Sequence, residues 1–138
     1  MRYFDSSAIA KLLLAEDESG ALRNFLGSDL TANITSVIAR TEVALAIARQ
    51  FVDVERSIAE AADAMQIHGF TFQLVDVDLE VARAAATIGS AHGLRALDAL
   101  HIATAMQFAP RLTEVITYDA RMASACRALG LPVVRPGA

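Results

Sequence analysis

Residues 1–14 read Met1-Arg2-Tyr3-Phe4-Asp5-Ser6-Ser7-Ala8-Ile9-Ala10-Lys11-Leu12-Leu13-Leu14. An apolar pair runs straight into an acid. Two serines follow, and then an apolar run with helical character. Residues 2–5 are expected to form a short buried strand. Ser6 or Ser7 is expected to cap the helix after it, because a serine oxygen accepts from a free N–H in the first turn. A strand that stops at a carboxylate, with a helix starting beside it, sets that acid at the carboxyl edge of a sheet. In open α/β sheets ligands bind at that edge.

The same pattern recurs outward from this stretch. Helices are expected at 17–27, 36–50, 53–68, 79–91, 97–108 and 120–129, with Gly27 and Gly93 as stops and Asp78 as a cap. Strands are expected at 30–34, 70–77, 114–118 and 131–134. Strands alternating with helices argue an α/β fold: a mostly parallel, short-stranded sheet flanked by helices in three layers, and rich in helix. With no linker, repeat or low-complexity tract, residues 1–138 are expected to form one domain. Frequent alanine favours close helix packing, within the chain or against another subunit.

The composition is 54% hydrophobic and 20% charged, outside the disordered class. Net charge is −4, which excludes gripping nucleic acid by bulk positive charge. A cluster of acids that binds metal would still admit an RNA substrate, since the metal reverses the local field. The single cysteine, Cys126, forms no internal disulfide and reads as a buried small hydrophobe. Lys11 and Asp5 interrupt any signal-peptide core, and no apolar run is long enough to span a bilayer. The chain is expected to be cytoplasmic, with no membrane partner.

Most of the sixteen acids sit in charge runs or on polar helix faces. Four do not. Asp5 and Asp119 each follow an apolar strand directly, and parallel strands would bring those ends side by side. Glu42 lies within ITSVIARTEVALAIA and Asp98 within LRALDALHIATAM, with apolar neighbours on both sides. Carboxylates in such surroundings need a cation, a hydrogen-bond network or a shared proton. The only lysine is Lys11; Arg40 and Arg95 are the nearest arginines in sequence. Taken singly, each acid is explained by a cap or an arginine partner. Taken together, they are better explained by a site for a hard divalent cation such as Mg²⁺ or Mn²⁺. Asp76 also follows an apolar run, but Asp78 soon after marks a loop, so it is left out. His68 and His92 each precede a glycine at a helix end. His101, one turn from Asp98, reads as a packed helix histidine, with a role near substrate as the alternative.

On the segments YFDSSAIAKLLL, SVIARTEVALA, HGLRALDALHIATA and VITYDARMASACRALGL the chain resembles a PIN-domain ribonuclease. More narrowly, it resembles a VapC-type toxin of a type II toxin–antitoxin system. The segments occur in the family's order and cover essentially the whole chain. The resemblance implies that Asp5, Glu42, Asp98 and Asp119 are the acidic metal-holding quartet. It implies that Ser7 and Thr117 orient metal, water or carboxylates from behind. It also implies a Mg²⁺- or Mn²⁺-dependent endoribonuclease that cuts RNA to 5′-phosphate and 3′-hydroxyl ends. A homodimer and a cognate antitoxin follow, with DNA contacted only through the antitoxin. Arg95 and Arg121 are expected near phosphates, from their closeness in sequence to Asp98 and Asp119.

Two rival readings exist. A haloacid-dehalogenase-like phosphatase would use Asp5 as nucleophile, but it expects an acid where this chain has Ser7, and a lysine later than Lys11. A catalytically weak PIN-fold binding module would keep the fold without the chemistry.

Overall fold

The computed structural model describes residues 1–27, 30–49 and 71–138. The expected helix at 53–68, with His68 and the acids on it, lies outside these residues. Five strands form one sheet: β1 (Arg2–Phe4), β2 (Asn33–Ser36), β3 (Phe72–Val75), β4 (Glu114–Ile116) and β5 (Val133–Val134). Their order is β3-β2-β1-β4-β5, and every pairing is parallel. Among the described residues six α-helices connect them: α1 (Ser6–Leu13), α2 (Ser19–Leu26), α3 (Ile38–Ala48), α4 (Leu79–His92), α5 (Ala96–Met106) and α6 (Ala120–Ala128).

Alternation along the central strands sends successive side chains to opposite faces. Phe4 and Ile116 join Ile9, Leu22, Leu26 and Val43 on one side, against α1, α2 and α3. Tyr3 and Val115 join Ile102, Met122 and Cys126 on the other, against α5 and α6. The result is the expected three-layer α/β arrangement. A smaller cluster of Val81, Ala85, Ala99 and Ala103 joins α4 to α5. These two helices approach closely because their facing residues are small. A Cβ built on Gly89 would lie 3.2 Å from that of Ala99. Gly93 closes α4 in the left-handed conformation (φ 62°), as expected of a glycine just past a helix end.

Several boundaries differ from expectation. Asp5 is not the last strand residue but the N-cap of α1, with its side chain accepting from the Ala8 N–H. The carboxylate takes the capping position assigned to Ser6 or Ser7. β2 begins at Asn33 rather than at Leu30, which is almost fully exposed. Pairing sets this register: Arg2 lies opposite Asn33 and Tyr3 opposite Ile34, and the Thr35 hydroxyl donates to the Phe4 carbonyl at 2.7 Å. Ser36, expected to open the helix at 36–50, therefore ends β2 instead, and α3 starts after Val37 without a side-chain cap.

The chain builds β1, β2 and β3 outward on one side, then crosses back to place β4 and β5 on the other. Strand order reverses at β1, so the crevice beyond the carboxyl ends of β1 and β4 is the topological switch point. Phe4 pairs with Ile116 there, and the Asp5 N–H extends the ladder to the Ile116 carbonyl at 3.2 Å.

Candidate active site at the carboxyl edge of the sheet

Asp5 is buried at this switch point, 3% exposed. Its carboxylate is held by three donors. The Ala8 N–H lies 2.9 Å from Oδ1. The Ser7 hydroxyl lies 2.7 Å from Oδ1 and 2.9 Å from Oδ2. The Thr117 hydroxyl lies 2.7 Å from Oδ2. Both hydroxyls are backed by backbone donors from the loop after β4: Tyr118 N–H to Ser7 at 2.9 Å, and Asp119 N–H to Thr117 at 3.1 Å. Each hydroxyl thus passes a backbone N–H on to the carboxylate, which aligns and strengthens the pair. Burial nevertheless pushes the Asp5 carboxyl above the usual carboxylate range, against the opposing effects of the His101 charge and these hydrogen bonds.

Asp119 follows β4 and caps α6, its Oδ1 accepting from the Met122 N–H at 2.8 Å. Asp98 lies in the first turn of α5, where negative charge suits the helix dipole. The Arg95 guanidinium, 70% exposed, links these two acids: Nε is 3.0 Å from Asp98 Oδ2, and Nη2 is 3.4 Å from Asp119 Oδ2. The nearby arginine therefore neutralises part of the acidic cluster. Lys11 does not, since it pairs with Glu16 and Glu18.

Glu42 projects from α3 and meets α5. Its Oε2 lies 2.7 Å from His101 Nε2, and the other ring nitrogen, Nδ1, lies 2.8 Å from the Tyr3 hydroxyl. Burial pushes the Glu42 carboxyl up, but the hydrogen bond and charge of His101, with Ser6 and Arg95, outweigh it and hold the group below the usual range. His101 and Tyr3 are the groups that sequence reasoning passed over. Both looked like core residues, and both are buried. The available signal was that a buried histidine requires polar partners.

Arg121 behaves differently from Arg95. It lines a cleft with His92, Ser124, Ala125 and Ala128, which none of the four acids lines. Asp76 is exposed beyond β3, and Cys126 is buried, its thiol pushed up to about 12 chiefly by burial.

The donor set is made of carboxylate oxygens with hydroxyls behind them, which suits a hard cation. Among the described residues no three acid, histidine or cysteine side chains are arranged to hold an ion together. The four acids are thus not assembled into a closed ligand set; a hydrated divalent cation takes only one or two carboxylates directly. Two features favour a cation here: the raised Asp5 carboxyl, whose charge is under-compensated, and the Arg95 guanidinium already drawn between two of the acids. Ser36 Oγ, at the carboxyl end of β2, is buried with no hydrogen-bond partner among the described residues. Among the described residues no helix is long and apolar enough to cross a membrane.

Comparison with known proteins places this geometry. Residues 2–128 match the PIN domain family model. Ribonuclease VapC47 of Mycobacterium tuberculosis is 37% identical over 146 aligned residues, spanning 100% of this chain and 98% of that protein. Among solved structures, Mycobacterium tuberculosis VapC20, described as a sarcin–ricin loop cleaving toxin, superposes with a TM-score of 0.75 at 19% identity, covering 99% of this chain and 100% of that one. A toxin–antitoxin complex from Klebsiella pneumoniae superposes with a TM-score of 0.66 at 21% identity, covering 97% and 96%. The family match over residues 2–128 and the 37% identity over the full length identify this chain as a member of the PIN-domain family, of the VapC type.

Proposed function

We propose that the chain, acting as one PIN domain over residues 1–138, is a divalent-metal-dependent endoribonuclease and the toxin of a toxin–antitoxin pair. The observation that carries this is the Asp5 carboxylate, buried at the switch point with a hydroxyl relay from Ser7 and Thr117, with Asp119 joined to it through Thr117 and bridged to Asp98 by the Arg95 side chain. Identity of 37% over the full length to a protein named as a ribonuclease supports the same reading.

Asp5, Glu42, Asp98 and Asp119 would hold Mg²⁺ or Mn²⁺. When bound, such an ion lowers the pKa of water and shields phosphate charge. The chain's own groups do the rest. Ser7 and Thr117 keep Asp5 in one orientation, so its geometry is set before substrate arrives. Arg95 is exposed enough to leave its acids and meet a phosphate oxygen when metal takes its place. Water would attack the phosphorus in line with the P–O3′ bond, which breaks as the 3′-oxygen leaves and takes up a proton, giving a 5′-phosphate and a 3′-hydroxyl; no 2′,3′-cyclic phosphate forms, because the attacker is not the ribose 2′-hydroxyl. The substrate class is unpaired RNA, where base edges are open to be read.

A cognate antitoxin that offers a basic side chain to this acidic edge would block it. The Klebsiella relative, solved as a toxin–antitoxin complex, supports such a partner. DNA contact would come through the antitoxin, and the toxin is proposed to act as a homodimer in the cytoplasm.

The test is cleavage of total cellular RNA by antitoxin-free protein with Mg²⁺ or Mn²⁺, beside Asp5→Asn and Asp98→Asn. Cleavage by wild type alone, abolished by EDTA, is expected. Folded wild type that leaves the RNA as untouched as both variants do would overturn the proposal.

A further inference from the structure

Glu42 is the longest of the four acidic side chains and stands on a different helix from the others. A free glutamate gives up considerable rotamer entropy when it is ordered. The structure orders it from behind. His101 is 2% exposed, and its Nε2 lies 2.7 Å from Glu42 Oε2. Tyr3, fully buried, lies 2.8 Å from Nδ1 and meets the imidazole ring edge-on. The Ser36 backbone and the Thr104 side chain, both buried, lie beside the Tyr3 hydroxyl. An ionised carboxylate can only accept, so Nε2 carries the hydrogen towards Glu42 whether the ring is neutral or protonated.

We propose that His101 is a positioning residue for Glu42: its Nε2–H, aimed by the Tyr3 hydroxyl on Nδ1, fixes the direction of the Glu42 carboxylate and thereby the affinity of the acids for a divalent cation. The inference rests on the metal-dependent reading above. It also explains why one strand serves two acids. β1 ends at Phe4, immediately before Asp5, and Tyr3, two residues before that acid, reaches through His101 to Glu42. A shift of β1 would therefore disturb both acids together.

The test is Mn²⁺ titration of the antitoxin-free protein by calorimetry, without RNA. Glutamine places an amide nitrogen where histidine has Nε2, and asparagine places one where histidine has Nδ1. His101→Asn is expected to weaken Mn²⁺ binding about 10- to 100-fold, the range for losing a partner behind a metal-holding carboxylate. His101→Gln is expected to recover most of that loss, and Tyr3→Phe to fall between. A purely structural role would not separate two polar substitutions at one buried site. Equal affinities for the Asn and Gln variants, or no change in either, overturn the proposal. If His101→Asn does not fold, folded Tyr3→Phe decides: wild-type affinity there overturns it. If wild type binds no Mn²⁺, the metal-dependent reading itself falls and takes this proposal with it. If wild type binds, Asp5→Asn abolishes binding and the His101 variants do not change it, only the positioning role falls.

Discussion

Thr117 Oγ1 lies 2.7 Å from Asp5 Oδ2 and takes the Asp119 N–H at 3.1 Å, so one buried hydroxyl connects two acids that are 114 positions apart in the chain. Thr117 pairs with no strand neighbour beyond Ile116; its position one residue past β4 is what brings it opposite Asp5. Thr117→Val keeps the shape and removes the hydroxyl. It leaves the Asp119 N–H without its acceptor and Asp5 short of a donor. The expected loss is about 1–3 kcal/mol in urea unfolding, the usual cost of orphaning buried polar groups. Thr117→Ser should restore most of it. A Val variant as stable as wild type would show that the relay is not formed.

Asp5 itself is predicted to trade stability for function. Burial raises its folded carboxyl above the ordinary value of 3.8. Below that ordinary value both states are protonated and the shift has no effect. As pH rises, the unfolded chain releases the proton first, so the folded state holds more protons and stability falls. The penalty is complete above the folded carboxyl's pKa. Asp5→Asn cannot ionise, so the metal-free variant should melt above wild type at neutral pH. The gap should shrink to nothing as pH falls below the ordinary carboxylate range. Adding Mg²⁺ should raise the melting temperature of wild type alone, because a ligand stabilises only the state that binds it. A gap that does not change with pH would show that ionisation of Asp5 is not its cause.

What could be read from the sequence here was the part set by local pattern. Tyr3-Phe4-Asp5 marks a strand end by an apolar run meeting an acid; β4 stops at Ile116, two residues sooner than the expected 114–118, and parallel pairing still brings the two strand ends together. Asp78 capping α4 and Gly93 closing it follow from the chemistry of helix ends. What escaped depends on pairing between distant residues. The start of β2 is set by Arg2 against Asn33, a long-range register that no window around Leu30 contains. His101 looked like packing because its partners, Tyr3 and Glu42, are 98 and 59 positions away. Asp5 as its own helix cap was obscured by two serines that are equally good caps by residue type.

Cys126 is predicted to be silent to thiol reagents in the folded protein. It is fully buried, and its pKa is pushed from the ordinary 9.0 to about 12. The thiolate is the reactive form, so three pH units leave roughly a thousandth of the usual amount. At pH 8, modification by a disulfide reagent should be slower than for a free thiol by about a thousandfold or more. In denaturant, one thiol per chain should react at once. Rapid labelling of the native protein would show that the face of the sheet covered by α6 opens readily.

Arg95 is predicted to act in two opposed senses. In the structure described here it bridges Asp98 and Asp119 and competes for the acids that a divalent cation would use. With metal bound, its exposed guanidinium is released near the mouth of the site, where a phosphate would lie. Arg95→Ala should therefore tighten Mn²⁺ binding in the absence of RNA, by about two- to fivefold, the range open to exposed ion pairs. The gain should be greatest at low salt and fade as screening grows. The same variant should cleave RNA more slowly, mainly through a higher KM, since a phosphate contact is lost. Arg95→Lys should keep part of the phosphate contact as a point charge but lose the two-acid bridge, because only the guanidinium fork reaches both carboxylates. If Arg95→Ala weakens Mn²⁺ binding instead, the arginine is supporting the acids rather than standing in for the metal.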